Sequence, residues 1–273
     1  MAYPGSILAI PAPMTIVEFT TAGSSTWTVP AGVKRVFVTV VGGGGAGGAA
    51  SSTTVGSGGG GAGAVYYRWP LSVTPGAVLP YVVGAGGVGA INTVGGTGTA
   101  SSFAGMMATP GKGGSNLASI AGGGDGGSFG GVTCSGAVSW SAGITGVAAT
   151  SPTIDTTLSW LYGTAAFPGA GGGAGGTISY GLPWGGGVLV GGTSGSFTNT
   201  QTYNGGPGAG GFAFGPSITS AVGGTGSANS GAAAISPTAG GANSGSGGGG
   251  VGAAASAYVA GGNGGSGYIM IEY

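Results

Sequence analysis

The sequence predicts an all-β protein: a small antiparallel β module closed by N- and C-terminal strands, plus a glycine-rich lobe of packed polyglycine/polyproline-II rods, with essentially no α-helix. Three observations predict it. Apolar residues alternate with period two in several short runs, and helical periodicity appears nowhere over a useful length. Glycine supplies 74 of 273 residues, concentrated in tracts. The chain is nevertheless 41% hydrophobic and only 3% charged.

The third observation decides between order and disorder. Glycine and proline at this level without a strict period usually signal low complexity. Disordered chains, however, are polar and charged, whereas this one has positive mean hydropathy. No G-X-Y register persists, which excludes collagen.

Residues 1–18 read as an extended attachment or oligomerisation arm, because Pro4, Pro11 and Pro13 exclude a helix interior. The β module spans 19–110, with 266–273 returning to it. Val36, Val38 and Val40 share one strand face, and VFVTVV then runs straight into GGGGAGG. AVYYRWPLSV and AVLPYVV flank the turn Thr74-Pro75-Gly76, SSFAGMMA precedes a second such turn at Thr109-Pro110-Gly111, and GYIMIEY ends the chain as a strand. Pairing of the first and last strands brings Glu18, Lys34, Arg35, Arg68 and Glu272 together, and ion pairs of the two glutamates with Lys34 or Arg35 are expected.

Residues 111–265 form the predicted glycine-rich lobe. Polyproline II has three residues per turn and no internal hydrogen bonds, so every N–H and C=O points sideways. Rods without Cβ atoms can approach closely enough to bond one another. Apolar segments separate the tracts, and these must turn at the rod ends.

Chemistry is poorly represented. There is no histidine, and Cys134 is the only cysteine, so no cofactor and no metal site are expected. The G-x-G-x-x-G matches open no predicted helix, and Gly111-Lys112 lacks the Ser or Thr of a phosphate loop. Glycoside cleavage would need paired carboxyls, for which Asp125 and Asp155 are the candidates. Both read better as turn residues, and the protein is expected not to be an enzyme. Four basic residues form no patch able to neutralise phosphates, so nucleic acid is not an expected partner. No apolar run reaches the roughly 18 residues of a membrane span, so the chain is not expected to be membrane-embedded.

Aromatic residues in the lobe are the candidate binding residues: Trp140, Trp160, Tyr162, Tyr180, Trp184 and Tyr203. They lie among Ser, Thr, Asn and Gln between glycine tracts, a composition suited to binding loops at a distal tip.

The blocks WTVPAGVKRVFVTVVGGGGAGG, GGGGAGAVYYRWPLSVTPGAVLPYVVGAGGVG, GGTGTASSFAG and GGNGGSGYIMIEY together resemble glycine-rich tail fibre proteins of tailed bacteriophages and prophages. They cover 19–115 and 258–273. By composition, 116–257 is similar to the polyglycine-rod adhesins at the tips of T-even-like long tail fibres. The resemblance implies a virion receptor-binding protein, with loops that grip a host outer-membrane protein or glycan and with other virion tail proteins as partners. Those adhesins carry a large capping domain where this chain has residues 1–18, so a homotrimer is expected, with a monomeric cap on a trimeric fibre as the alternative. A purely structural fibre or spike component and, more distantly, an ice-binding polyglycine protein are the competing readings.

Overall fold

A computed structural model describes residues 14–49, 56–115, 123–128, the backbone of 165–167, 205–206, 208–213, 215–227, 236–252 and 259–273. All regular structure among them is β. The strands are β1 (Ile16–Phe19), β2 (Gly23–Thr28), β3 (Arg35–Val41), β4 (Val65–Ser72), β5 (Val78–Val83), β6 (Ser101–Phe103), β7 (Met106–Ala108), β8 (Ala165–Phe167) and β9 (Tyr268–Glu272). They form two antiparallel sheets, ordered β1-β9-β3-β4-β8 and β2-β5-β6-β7. The last strand lies between the first and third, pairing Phe19 with Ile269 and Val38 with Ile271, as the closure expectation required.

Strand period two sets the core. Val36, Val38 and Val40 of β3 point inward with Ile269 and Ile271 of β9, all fully buried, and meet Trp27, Val83, Phe103 and Ala108 of the facing sheet. Each such side chain contributes about 1.5–3 kcal/mol on burial.

Of the two expected ion pairs, the one at Glu272 forms with a different partner, and the one at Glu18 is replaced by bonds from neutral donors. The β3–β4 register shifts between Val38 and Val40, so Tyr67 and Arg68 together oppose Thr39. Arg68 takes φ 48° at this bulge, and its N–H donates to the buried Thr39 hydroxyl at 3.1 Å. The bulge re-aims its side chain across β3, and Arg68 Nε, not Lys34 or Arg35, bonds Glu272 at 3.0 Å. Arg35 instead lies over the Phe37 ring at 5.0 Å. Among the described residues Glu18 accepts from neutral donors, as described below.

Where the side chains stop, the backbone takes over. Along residues 42–49, Gly42, Gly45 and Gly48 donate to the carbonyls of Ala64, Gly61 and Gly58. Gly43, Ala46 and Ala49 donate to Thr99, Gly96 and Thr93, while Gly44 and Gly47 donate to Gly265 and Gly262. Every third residue addresses the same neighbour, which is the three-residue turn of a polyglycine rod. Carbonyls of the same rod accept from Gly111 and Gly114, from Gly87, and from Gly248 and Val251. The rod is therefore encircled by those at 57–64, 111–115, 93–99, 84–89, 261–267 and 245–251. Neighbours in this ring also bond each other: Gly61 to Lys112, Gly98 to Gly111, Thr99 to Ala85, Gly264 to Gly87, Gly262 to Gly249 and Gly60 to Gly248. Donor numbers rise as acceptor numbers fall around the ring, so chain directions alternate. The 245–251 rod extends the lattice, bonding also to residues 205–206 and 208–212 and to rods at 221–227 and 238–241.

The rods are continuations of the strands. β3, β5 and β7 lead into 42–49, 84–89 and 111–115, while 57–64, 93–99 and 261–267 lead into β4, β6 and β9. Facing sheets sit about 10 Å apart when side chains fill the gap. Beyond Val41 and Val83 nothing fills it, and the two layers close until Gly43 N–H reaches Thr99 O at 3.0 Å.

Hydroxyls and amides finish the lattice at its surface, where a neighbouring rod is missing. Thr99 Oγ1 accepts from Ala85 N–H at 2.7 Å, Asn263 Oδ1 from Gly89 N–H at 2.8 Å and Thr238 Oγ1 from Thr225 N–H at 2.7 Å. A second apolar cluster, comprising Val41, Ala62, Val65, Ala209, Phe212, Tyr268 and Met270, joins rods to the outer face of the first sheet.

Candidate binding surface

The strand-to-rod continuity defines two ends of the bundle. Gly42, Ala64, Gly84, Thr99 and Gly267 adjoin the sandwich. Ala49, Ser57, Thr93, Ser115, Gly205, Ser227 and Val251 lie at the opposite, distal end, linked by bonds such as Ala49 N–H to Thr93 O and Ser57 N–H to Val251 O. Eight residues of rod at ~3.1 Å each separate the ends by about 25 Å.

The rods at 84–89 and 93–99 join at the distal end through a short turn in which Asn92 takes φ 55°. Gly96 N–H to Val88 O closes the hairpin, and the bonds to Asn263 and Ala49 tie it to the bundle. The side chains are left outside: Val88 is 68% exposed, Ile91 54% and Val94 53%. Aliphatic groups thus project from a backbone fixed on several sides. The nearest charges along the neighbouring rods, Lys112 and Asp125, neutralise each other at 3.0 Å. The surface is suited to neutral, apolar contact.

Sequence reasoning passed over this tip and favoured aromatics. The available signal was an aliphatic residue every third position (88, 91, 94) in a glycine background. Trp140, Trp160, Tyr162, Tyr180, Trp184 and Tyr203 all lie outside the described residues, as does Asp155. Among the described residues no group of three or more His, Cys, Asp or Glu could hold a metal ion, and no helix is long and apolar enough to cross a membrane.

One carboxylate is embedded in a polar cluster that secures the 215–218 turn. Glu18 accepts from Ser217 N–H at 3.0 Å, from the Ser217 hydroxyl at 2.6 Å and from the Tyr268 hydroxyl. Burial works to raise the Glu18 carboxyl, but the Ser217 hydroxyl, the Tyr268 hydroxyl and the Ser217 N–H outweigh it and hold it below its ordinary value of 4.5. Burial, then the bond to Glu18, push the Tyr268 hydroxyl well above its usual range. A carboxyl lowered on folding stabilises the protein above its unfolded value and loses that contribution as pH falls through the folded one. Glu18→Gln is therefore expected to lower Tm at neutral pH. It should also flatten the fall of Tm on acidification below about pH 4.5, as followed by circular dichroism. Parallel wild-type and variant curves would contradict this role.

The profile of a family described as a glycine-rich domain matches residues 20–273, nearly the whole chain, and the protein belongs to that family. No curated protein matches it.

Proposed function

We propose that this member of the glycine-rich domain family is a bacteriophage tail fibre or fibre-tip protein. In this reading it attaches the virion to a host outer-membrane protein or glycan, without catalysis. The sandwich faces the other virion tail proteins and the distal end of the bundle faces the host. The observation that carries the reading is the exposed aliphatic trio Val88, Ile91 and Val94, on a hairpin of two rods that turns at the distal end of a hydrogen-bonded bundle. A stiff backbone lattice suits this role because little conformational freedom is lost when its tip binds. The block resemblance at 19–115 and 258–273 supports the fibre setting. The aromatic residues Trp140, Trp160, Tyr162, Tyr180, Trp184 and Tyr203 remain the proposed polar-aromatic part of the receptor contact.

Purified protein added to host cells should coat them and block infection; a purely structural fibre component would do neither. Replacing Val88, Ile91 and Val94 together by Ser is expected to weaken cell binding at least about tenfold, equivalent to ~1.4 kcal/mol. Tm should change little, because these side chains are more than half exposed. Trp160→Ala and Trp184→Ala extend the same assay to the aromatic loops. Undiminished binding by the tip and aromatic variants alike would refute the receptor-binding role.

A further inference from the structure

The two sheets have four edges among the described strands, and three carry a feature that discourages pairing with another chain. β7 and β8 are only three residues long, and β7 is soon followed by Pro110. β1 has four residues and carries the Glu18 carboxylate. β2 differs. Its six residues, Gly23-Ser24-Ser25-Thr26-Trp27-Thr28, pair with β5 in unbroken register from Gly23↔Val83 to Thr28↔Val78. It has no charge, no proline and no bulge, and all but Trp27 are exposed.

The pairing phase determines which backbone groups this edge presents. Val29 N–H bonds Ala77 O at 2.9 Å, one step beyond the Thr28↔Val78 pair. Hydrogen-bonded pairs alternate along an antiparallel ladder, so the odd residues of β2 address β5. The N–H and C=O groups of Ser24, Thr26 and Thr28 therefore point to the open side. The side chains of the same three residues lie on the outer face of the sheet, beside Val78, Pro80 and Val82 of β5.

We propose that β2 pairs with β2 of a second copy of this chain, antiparallel about a two-fold axis through Thr26. That register sets Thr26 opposite Thr26, and Ser24 opposite Thr28, on both sides of the axis. It satisfies all three N–H and all three C=O groups of each edge at once. A slip of one residue would set the odd residues, already committed to β5, against the partner. On the outer face every cross-strand pair in this register is hydroxyl to hydroxyl, a combination that is favourable in antiparallel sheets, while on the inner face Ser25 lies opposite Trp27. β2 itself carries no charge, and the chain's zero net charge opposes no approach of two copies. The two four-stranded sheets merge into one of eight strands, with Trp27 anchoring each β2 from beneath, 9% exposed in the sandwich core. The assembly is a two-fold dimer, unlike the homotrimer expected from the sequence.

Sedimentation velocity of the full chain over a dilution series should show a reversible species of twice the chain mass. Thr26→Pro removes an N–H that faces the open edge and none that faces β5, so the sandwich should keep its Tm while the dimer is lost. Thr26→Lys sets two ammonium groups across the axis and should also give monomer, which covers the case in which the proline variant fails to fold. In a Cys134→Ser background, Thr26→Cys should crosslink two chains on oxidation. A monomeric wild-type protein, or a dimer or trimer that survives Thr26→Lys, would overturn the proposal.

Discussion

Gly47→Ala is expected to prevent the bundle from folding, although it adds a single methyl group. The new Cβ would lie 1.9 Å from Gly249 O, 2.3 Å from Gly249 C and 2.7 Å from Gly250 N, all backbone atoms. Real carbon–oxygen contacts do not approach that distance, so the 245–251 rod would have to move. It cannot move alone. Gly248 N–H bonds Gly45 O, Gly250 N–H bonds Gly206 O, and Gly249 O accepts from Gly262 N–H. Displacing the rod breaks several bonds worth about 1 kcal/mol each net and leaves buried groups unpaired at a further ~1–3 kcal/mol apiece. A total above ~4 kcal/mol is a large share of the 5–15 kcal/mol that domains commonly have. The neighbouring Ala46→Gly provides the contrast. Its methyl is already accommodated, fully buried, and losing it should cost only about 1–2 kcal/mol for the lost burial and added chain entropy. Soluble yield and thermal unfolding of the pair would decide the point. If Gly47→Ala unfolds within a few degrees of wild type, backbone close-packing is not what specifies the bundle.

That contrast also marks how far the sequence could be read. The strands were legible because Val36, Val38 and Val40 sit two residues apart, a period that only a half-buried strand explains. Rods were legible as a class because a glycine tract that is neither charged nor polar has few other ways to satisfy its backbone. Which rods would be neighbours was not legible. Glycines 45 and 47 are chemically identical, and their partners are fixed by the phase of a three-residue screw that leaves no mark in composition. The same holds for the bulge at Arg68. The alternation Val65, Tyr67, Trp69 gives no hint that two residues will oppose Thr39, and so the partner of Glu272 was misassigned to the arginine and lysine closer in sequence to β3. The tip was missed for a related reason. Val88, Ile91 and Val94 resemble fragments of buried strand until the hairpin of two rods is known to leave their side chains exposed on the outside of the bundle.

Phe212→Ala should separate the two building materials energetically. Phe212 is fully buried at the sandwich end of the 208–212 rod, its ring centroid 5.7 Å from Tyr67 and 6.4 Å from Tyr268. It belongs to the cluster that joins Val41, Val65 and Met270 of the sheet with Ala62 and Ala209 of the rods. Truncating a buried phenylalanine costs about 3–5 kcal/mol through lost burial and the cavity left behind. The loss should not be uniform, because the sandwich core of Trp27, Val38, Phe103 and Ile271 is a separate cluster that Phe212 does not enter. Amide exchange is therefore expected to accelerate first in 205–227 and 244–251, with β3, β5 and β9 protected nearly as in the wild type. Phe212→Leu should recover most of the protection, since it restores apolar volume without the ring contacts. Uniform loss of protection across strands and rods would mean that the two form a single cooperative unit, with the side-chain core and the backbone lattice each unable to persist alone. Localised loss would mean that the sandwich folds on its own terms and the rods are added to it, so that sequence change at the distal end is tolerated as long as the glycines facing neighbouring rods are kept.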